Sequence, residues 1–97
     1  MNILIENMGN PKKFGCSLND IKKLMNRTKF NFCLDLDHLK KSGQRFEDFI
    51  SLIGNRIKLV HVSEFTEKED HSNILSIETL NQIIKLHDIP MIVEWIL

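Results

Sequence analysis

Charge of one sign is not in excess in this chain: 13 lysines and arginines balance 13 aspartates and glutamates, for a formal net charge of zero over 97 residues. Nucleic-acid binding by bulk electrostatics is therefore not indicated. No apolar run approaches the ~18 residues a membrane span requires. The start, Met1-Asn2-Ile3-Leu4-Ile5-Glu6, lacks the basic region and cleavage site of a secretory signal. The two cysteines, Cys16 and Cys33, form no CxxC pair, and Cys33 sits within an apolar run. Free thiols in a reducing, cytoplasmic setting are the expectation. Proline and glycine are few, and no linker or low-complexity segment interrupts residues 1–97, which read as a single domain.

Against these absences stand four short apolar runs, each ending on a potential metal ligand. They are Ile3-Leu4-Ile5-Glu6-Asn7, Phe32-Cys33-Leu34-Asp35, Leu59-Val60-His61 and Met91-Ile92-Val93-Glu94. Continuous apolar runs of this length suit strands of a parallel sheet buried on both faces. In α/β folds, working groups gather at the C-terminal ends of such strands. Glu6, Asp35, His61 and Glu94 would then converge. Three carboxylates and one imidazole suit a hard or borderline divalent cation.

Between the runs lie helical patterns. Ser17 precedes Leu18, Ile21, Leu24 and Met25 at helical spacing, with Asp20 placed as in a capping box. Residues 37–43 read as a loop with a short helical turn that Asp35 or Asp37 could cap, and for Asp37 capping is the preferred reading. Phe46, Phe49, Ile50 and Ile53 form a second stripe, closed at Gly54-Asn55. The third strand is expected over 57–62, followed by a polar loop over 64–73 whose Glu64, Glu67 and Glu69 read as solvated charges. Ile77, Leu80, Ile83, Ile84 and Leu86 mark a third helix, with His87 compensating its C-terminal dipole, and Pro90 opens the last strand. The order β-α-β-α-β-α-β implies right-handed crossovers and a parallel sheet.

The chain resembles the C-terminal half of the xylose isomerase-like (β/α)8 TIM barrels. These include sugar-phosphate isomerases and epimerases and the endonuclease IV class, AP endonuclease family 2. Carrying the resemblance, in order, are Ile5-Glu6-Asn7, Asp35-Leu36-Asp37-His38, His61-Val62-Ser63-Glu64, Asp70-His71 and Ile92-Val93-Glu94. It covers strands five to eight of the family barrel. Asp35-Leu36 stands where the family commonly has Asp-Thr, and the glycine usual after the Asp-His segment is absent from residues 72–76.

The resemblance implies a parallel half-barrel holding one divalent ion (Mn, Mg, Co or Zn) on Glu6, Asp35, His61 and Glu94. It implies Glu6 and Glu94 as an acid/base pair for metal-assisted proton transfer on a small sugar or sugar phosphate. His38, Asp70 and His71 would bind substrate or, in the endonuclease-like alternative acting on DNA, add ligands for three zinc ions. That alternative also needs histidines from the first half of the family barrel. A half-barrel leaves two strand edges and an inner face bare, so a homodimer, a separately encoded N-terminal half, or a non-catalytic truncated subunit are the expected states. No membrane partner is expected.

Overall fold

A computed structural model of the chain describes residues 3–10, 12–65 and 77–96, and at 63–65 and 94–96 it describes the backbone alone. Four strands, β1 (Leu4–Glu6), β2 (Asn31–Asp35), β3 (Ile57–Phe65) and β4 (Met91–Ile96), form one sheet in the order β1-β2-β3-β4. Every pairing is parallel. The crossovers carry α1 (Leu18–Arg27), α2 (Leu36–Ser42), α3 (Phe46–Ile53) and α4 (Ile77–Lys85), with a 3-10 turn over Gly54–Arg56. The protein is thus an α/β fold on a four-stranded parallel sheet. Among the described residues no helix is long and apolar enough to cross a membrane.

The expected elements are present, with corrections. Ser17 caps α1, its Oγ accepting from Asp20 N at 3.1 Å, but the Asp20 carboxylate turns back to Gly15 N at 3.0 Å rather than closing a capping box on Ser17. Residues 36–42 are a complete helix, not a loop with a turn. Its N-cap is Asp35, whose Oδ1 accepts from His38 N at 2.9 Å. Asp37, in the first turn, instead pairs with Lys41 at 3.0 Å, an i,i+4 ion pair. The left-handed residue that ends α2 is Gly43 (φ 72°), where a side chain would be strained. Strand β3 runs to Phe65, so Glu64 belongs to the strand rather than to the polar loop.

The helices cover one face of the sheet. Phe32, Leu34, Val60 and Val62 point toward them with no exposed surface, and Ile21, Phe49 and Ile53 meet them from α1 and α3. The Phe32 and Phe49 rings are tilted by 52° at 6.4 Å between centroids, a favourable aromatic geometry. On α4 the apolar stripe is shared differently from its sequence pattern. Thr79 is buried and Ile83 packs on the core, while Ile77, Leu80 and Ile84 are exposed.

One polar side chain ties the N-terminal end of the sheet to α1. Arg56 donates from Nη1 to Met25 O at 2.8 Å and from Nη2 to Thr28 O at 2.9 Å and to Phe30 O. It thereby satisfies carbonyls at the end of α1 and in the turn into β2. Hydrogen bonds from a charged donor contribute about 1.5–3 kcal/mol each when partly shielded, but not additively. Arg56→Met is expected to lower unfolding free energy by about 2–4 kcal/mol in urea titrations, while the exposed neighbour change Lys58→Gln stays within about 0.5 kcal/mol.

Candidate metal centre at the strand ends

Among the described residues no helix covers the other face of the sheet. Leu4, Glu6, Cys33, Leu59, His61 and Ile92 line a cleft there. That His61 belongs to this face is decided by one irregularity of register. Phe32 pairs with Ile57 but Cys33 pairs with Leu59, so Lys58 is an extra residue in β3. Because side chains alternate along a strand, one added residue exchanges the faces of everything beyond it. Ile57 therefore joins the helix-side core, and Leu59 and His61 turn to the open face. From there the register is regular, and Asp35 pairs with His61.

At the tip of β1, Asn7 makes the connection that ladder hydrogen bonds no longer supply. It is 1% exposed. Its Oδ1 accepts from Asp35 N at 2.8 Å, and its Nδ2 donates to Asp35 O at 3.0 Å. This reciprocal pair fixes the backbone of Asp35 from both sides. The Asp35 carboxylate then divides its oxygens: Oδ1 caps α2, and Oδ2 lies 3.1 Å from His61 Nδ1 and 3.4 Å from His38 Nδ1. Glu6 Oε2 approaches His61 Nδ1 at 3.4 Å from the other side.

His38 is oriented by the same segment. Its Nδ1 lies 2.8 Å from Asn7 O. A carbonyl can only accept, so Nδ1 carries the proton, and in the neutral ring the lone pair is on Nε2. Gly9 backs the ring: a Cβ built there would lie 2.9 Å from His38 Cδ2. Glu6, Asp35 and His38 each place one possible ligand atom within 4.8 Å of the others. His61 stands beside this group of three, its Nδ1 in contact with both carboxylates.

Cys33 lies beneath this group, paired in register with Glu6 and with its Sγ 3.8 Å from Glu6 Oε2. Burial, and then the negative charges of Glu6 and Asp35 and the hydrogen bond to Glu6, push its thiol up to about 11. It is a neutral thiol at physiological pH. Both cysteines are free.

The structure thus brings Glu6, Asp35, His38 and His61 together. Glu94 holds the β4 backbone position paired with Ser63, two residues past Ile92. Asp70 and His71 lie outside the described residues. Sequence reasoning missed Asn7 and Gly9 as positioning residues. The Glu-Asn pair at the β1 end was visible, but only the pairing of β1 with β2 reveals what the asparagine holds. Set beside protein-family models, curated proteins and solved structures, the chain matches none of them.

Two outcomes are expected from this geometry. Asn7→Ala strips both partners from the buried Asp35 backbone and should destabilise the fold by about 2–3 kcal/mol in denaturant titrations. For Cys33, thiolate absorbance in a Cys16→Ser background, with chelator present, should rise with a midpoint near 11. The folded thiol holds its proton above its ordinary value of 9.0, so this residue's contribution to stability is present below pH 9 and is lost as pH rises through about 11. Glu6→Gln removes one of the negative charges responsible and should move the midpoint down.

Proposed function

We propose that this chain is a xylose isomerase-like half-barrel and the metal-holding half of a divalent-metal-dependent sugar or sugar-phosphate isomerase or epimerase. The convergence of Glu6, Asp35, His38 and His61 at the C-terminal ends of adjacent parallel strands carries the reading. Ligand atoms on a common ion at bonds of about 2.1 Å stand about 3.0–3.4 Å apart for octahedral to tetrahedral angles. The separations of 3.1 and 3.4 Å fall in that range. A cation set between the unprotonated His61 Nδ1 and the two carboxylates would find an acceptor in each. The mixture of carboxylate and imidazole suits Mn, Mg, Co or Zn.

The register supports the barrel. Glu6 pairs with Cys33 and Cys33 with Leu59, so His61 stands two residues beyond the level of Glu6 in β3. Asp35 pairs with His61 and His61 with Ile92, so Glu94 stands two residues beyond the level of Asp35 in β4. In an eight-stranded barrel with a shear of about eight, positions at equal height advance by about one residue per strand, hence about two between alternate strands. Glu6 shares a height with His61 on this account, and Asp35 with position 94.

In this reading Glu6, Asp35, His61 and Glu94 would hold the ion. When bound, it supplies a Lewis acid that polarises a substrate carbonyl and acidifies the neighbouring C–H. Glu6 and Glu94 take and return the proton on opposite faces of the substrate carbon. Asp35, buried and itself the cap of α2, would stay an oriented ligand. His38, with Nδ1 committed to Asn7 O, offers Nε2 to a substrate oxygen. A completing half supplies the remaining wall of the sugar pocket.

A second reading, an endonuclease IV-like zinc phosphodiesterase acting on DNA, is favoured by one observation. His38 belongs to the same cluster, and with Nδ1 donating to Asn7 O the lone pair a further zinc ligand requires is on Nε2.

Manganese titration followed by the resonance signal of the free ion tests both. One saturable site per chain is expected, weakened more than about tenfold by His61→Ala or Glu6→Gln. Affinity should fall as pH is lowered, since protons compete for His61 and the carboxylates. Three zinc ions per site would select the second reading, and no saturable binding would sink both.

A further inference from the structure

The open face of the sheet is organised in pairs, and the pairing identifies what covers it. By the advance that levels Glu6 with His61, Leu4 levels with Leu59, and Cys33 with Ile92. Each height on the inner face is thus occupied twice, by alternate strands. A closed eight-stranded barrel fills each height with four side chains drawn from alternate strands. This chain supplies half of every layer. Leu4 is 40% exposed and Ile92 is 50% exposed, and they lie at opposite edges of the sheet. No described residue of β2, α2 or α3 is an exposed large apolar side chain, so the bare apolar surface is concentrated toward the β1 and β4 sides.

Resting on the half-barrel reading above, we infer that the occupant of this face is a second copy of the same chain, closing a two-fold eight-stranded barrel in which β4 of each copy pairs in parallel with β1 of the other. Several features favour self-pairing. A two-fold copy makes one inner layer of four leucines from Leu4 and Leu59. It makes the next of two cysteines and two isoleucines, alternating small and large around the ring as close packing asks. Both free edges are parallel and both are relieved by the same contact, which closes rather than propagates. The zero net charge sets no overall repulsion between copies.

The register of the junction follows. An advance of about one residue per strand, carried from β4 into β1 of the second copy, sets Ile92 beside Leu4 and Glu94 beside Glu6. Two exposed apolar residues of the cleft thereby become neighbours across the junction. The mouth of the barrel then carries two Glu6-Asp35-His61 groups related by the two-fold axis.

The test uses the full chain in chelator, so that it does not depend on metal binding. Sedimentation equilibrium is expected to give a dimer, and Leu4→Asp, at a site exposed in one copy, is expected to shift it to a folded monomer by circular dichroism. A second measurement fixes the register. With Cys16 and Cys33 replaced by Ser, the double variant Leu4→Cys/Ile92→Cys should form a covalent dimer on mild oxidation, while each single variant should not. Within one chain the two positions lie on opposite edges of the sheet, so only a partner copy can bridge them. A stable wild-type monomer, an open-ended series of larger assemblies, or a dimer that the double variant fails to cross-link would each overturn the inference. Metal binding lost with the dimer intact would count against the proposed function and leave this inference standing.

Discussion

The strand-end centre depends on the reciprocal hydrogen bonds between the Asn7 side chain and the Asp35 backbone. At 2.8 and 3.0 Å, in full burial, they extend the β1–β2 ladder by one step past the end of β1. Everything at the centre is referred to that step. It fixes Asp35, whose carboxylate starts α2 with one oxygen and faces His61 and His38 with the other. The carbonyl of the same asparagine holds His38. A buried amide satisfied at both ends is rigid because each alternative leaves a polar group without a partner in a low dielectric.

The second constraint is the extra residue at Lys58. It separates two demands on β3 that a regular strand cannot meet together. Ile57 is needed against the helices, and His61 is needed on the opposite face. Both are odd-numbered and would share a face without the slip. Beyond the slip, the helix-side row of Phe32, Leu34, Val60 and Val62 forms the core, and the row of Cys33, Asp35, Leu59 and His61 turns to the opposite face. Two carboxylates and two imidazoles gather there above a thiol that burial, and then the charge of Glu6 and Asp35, keeps protonated.

Much of this was legible in the chain. The four apolar runs, the cap at Ser17, the stripe of Phe46, Phe49 and Ile53 and the parallel order follow from local chemistry and from the short connections. The errors have a common cause. Residues 36–42 lack an apolar stripe long enough to announce a helix, and their cap, Asp35, was already assigned to a strand; one residue does both. Ile77, Leu80 and Ile84 look like a core face by spacing, yet Thr79 and Ile83 occupy that side, because which stripe is buried depends on where the sheet lies.

By itself, the sequence determined the elements, their order and the kinds of donor available at the strand ends, since these rest on hydrophobic period, turn chemistry and side-chain identity within a few residues. Only the tertiary structure decided which donors meet. Asn7 and Asp35 are 28 residues apart and Glu6 and Cys33 are 27 apart, and the face on which His61 emerges is set by a one-residue slip between β2 and β3. Strand pairing carries that information, and no local pattern in the sequence encodes it.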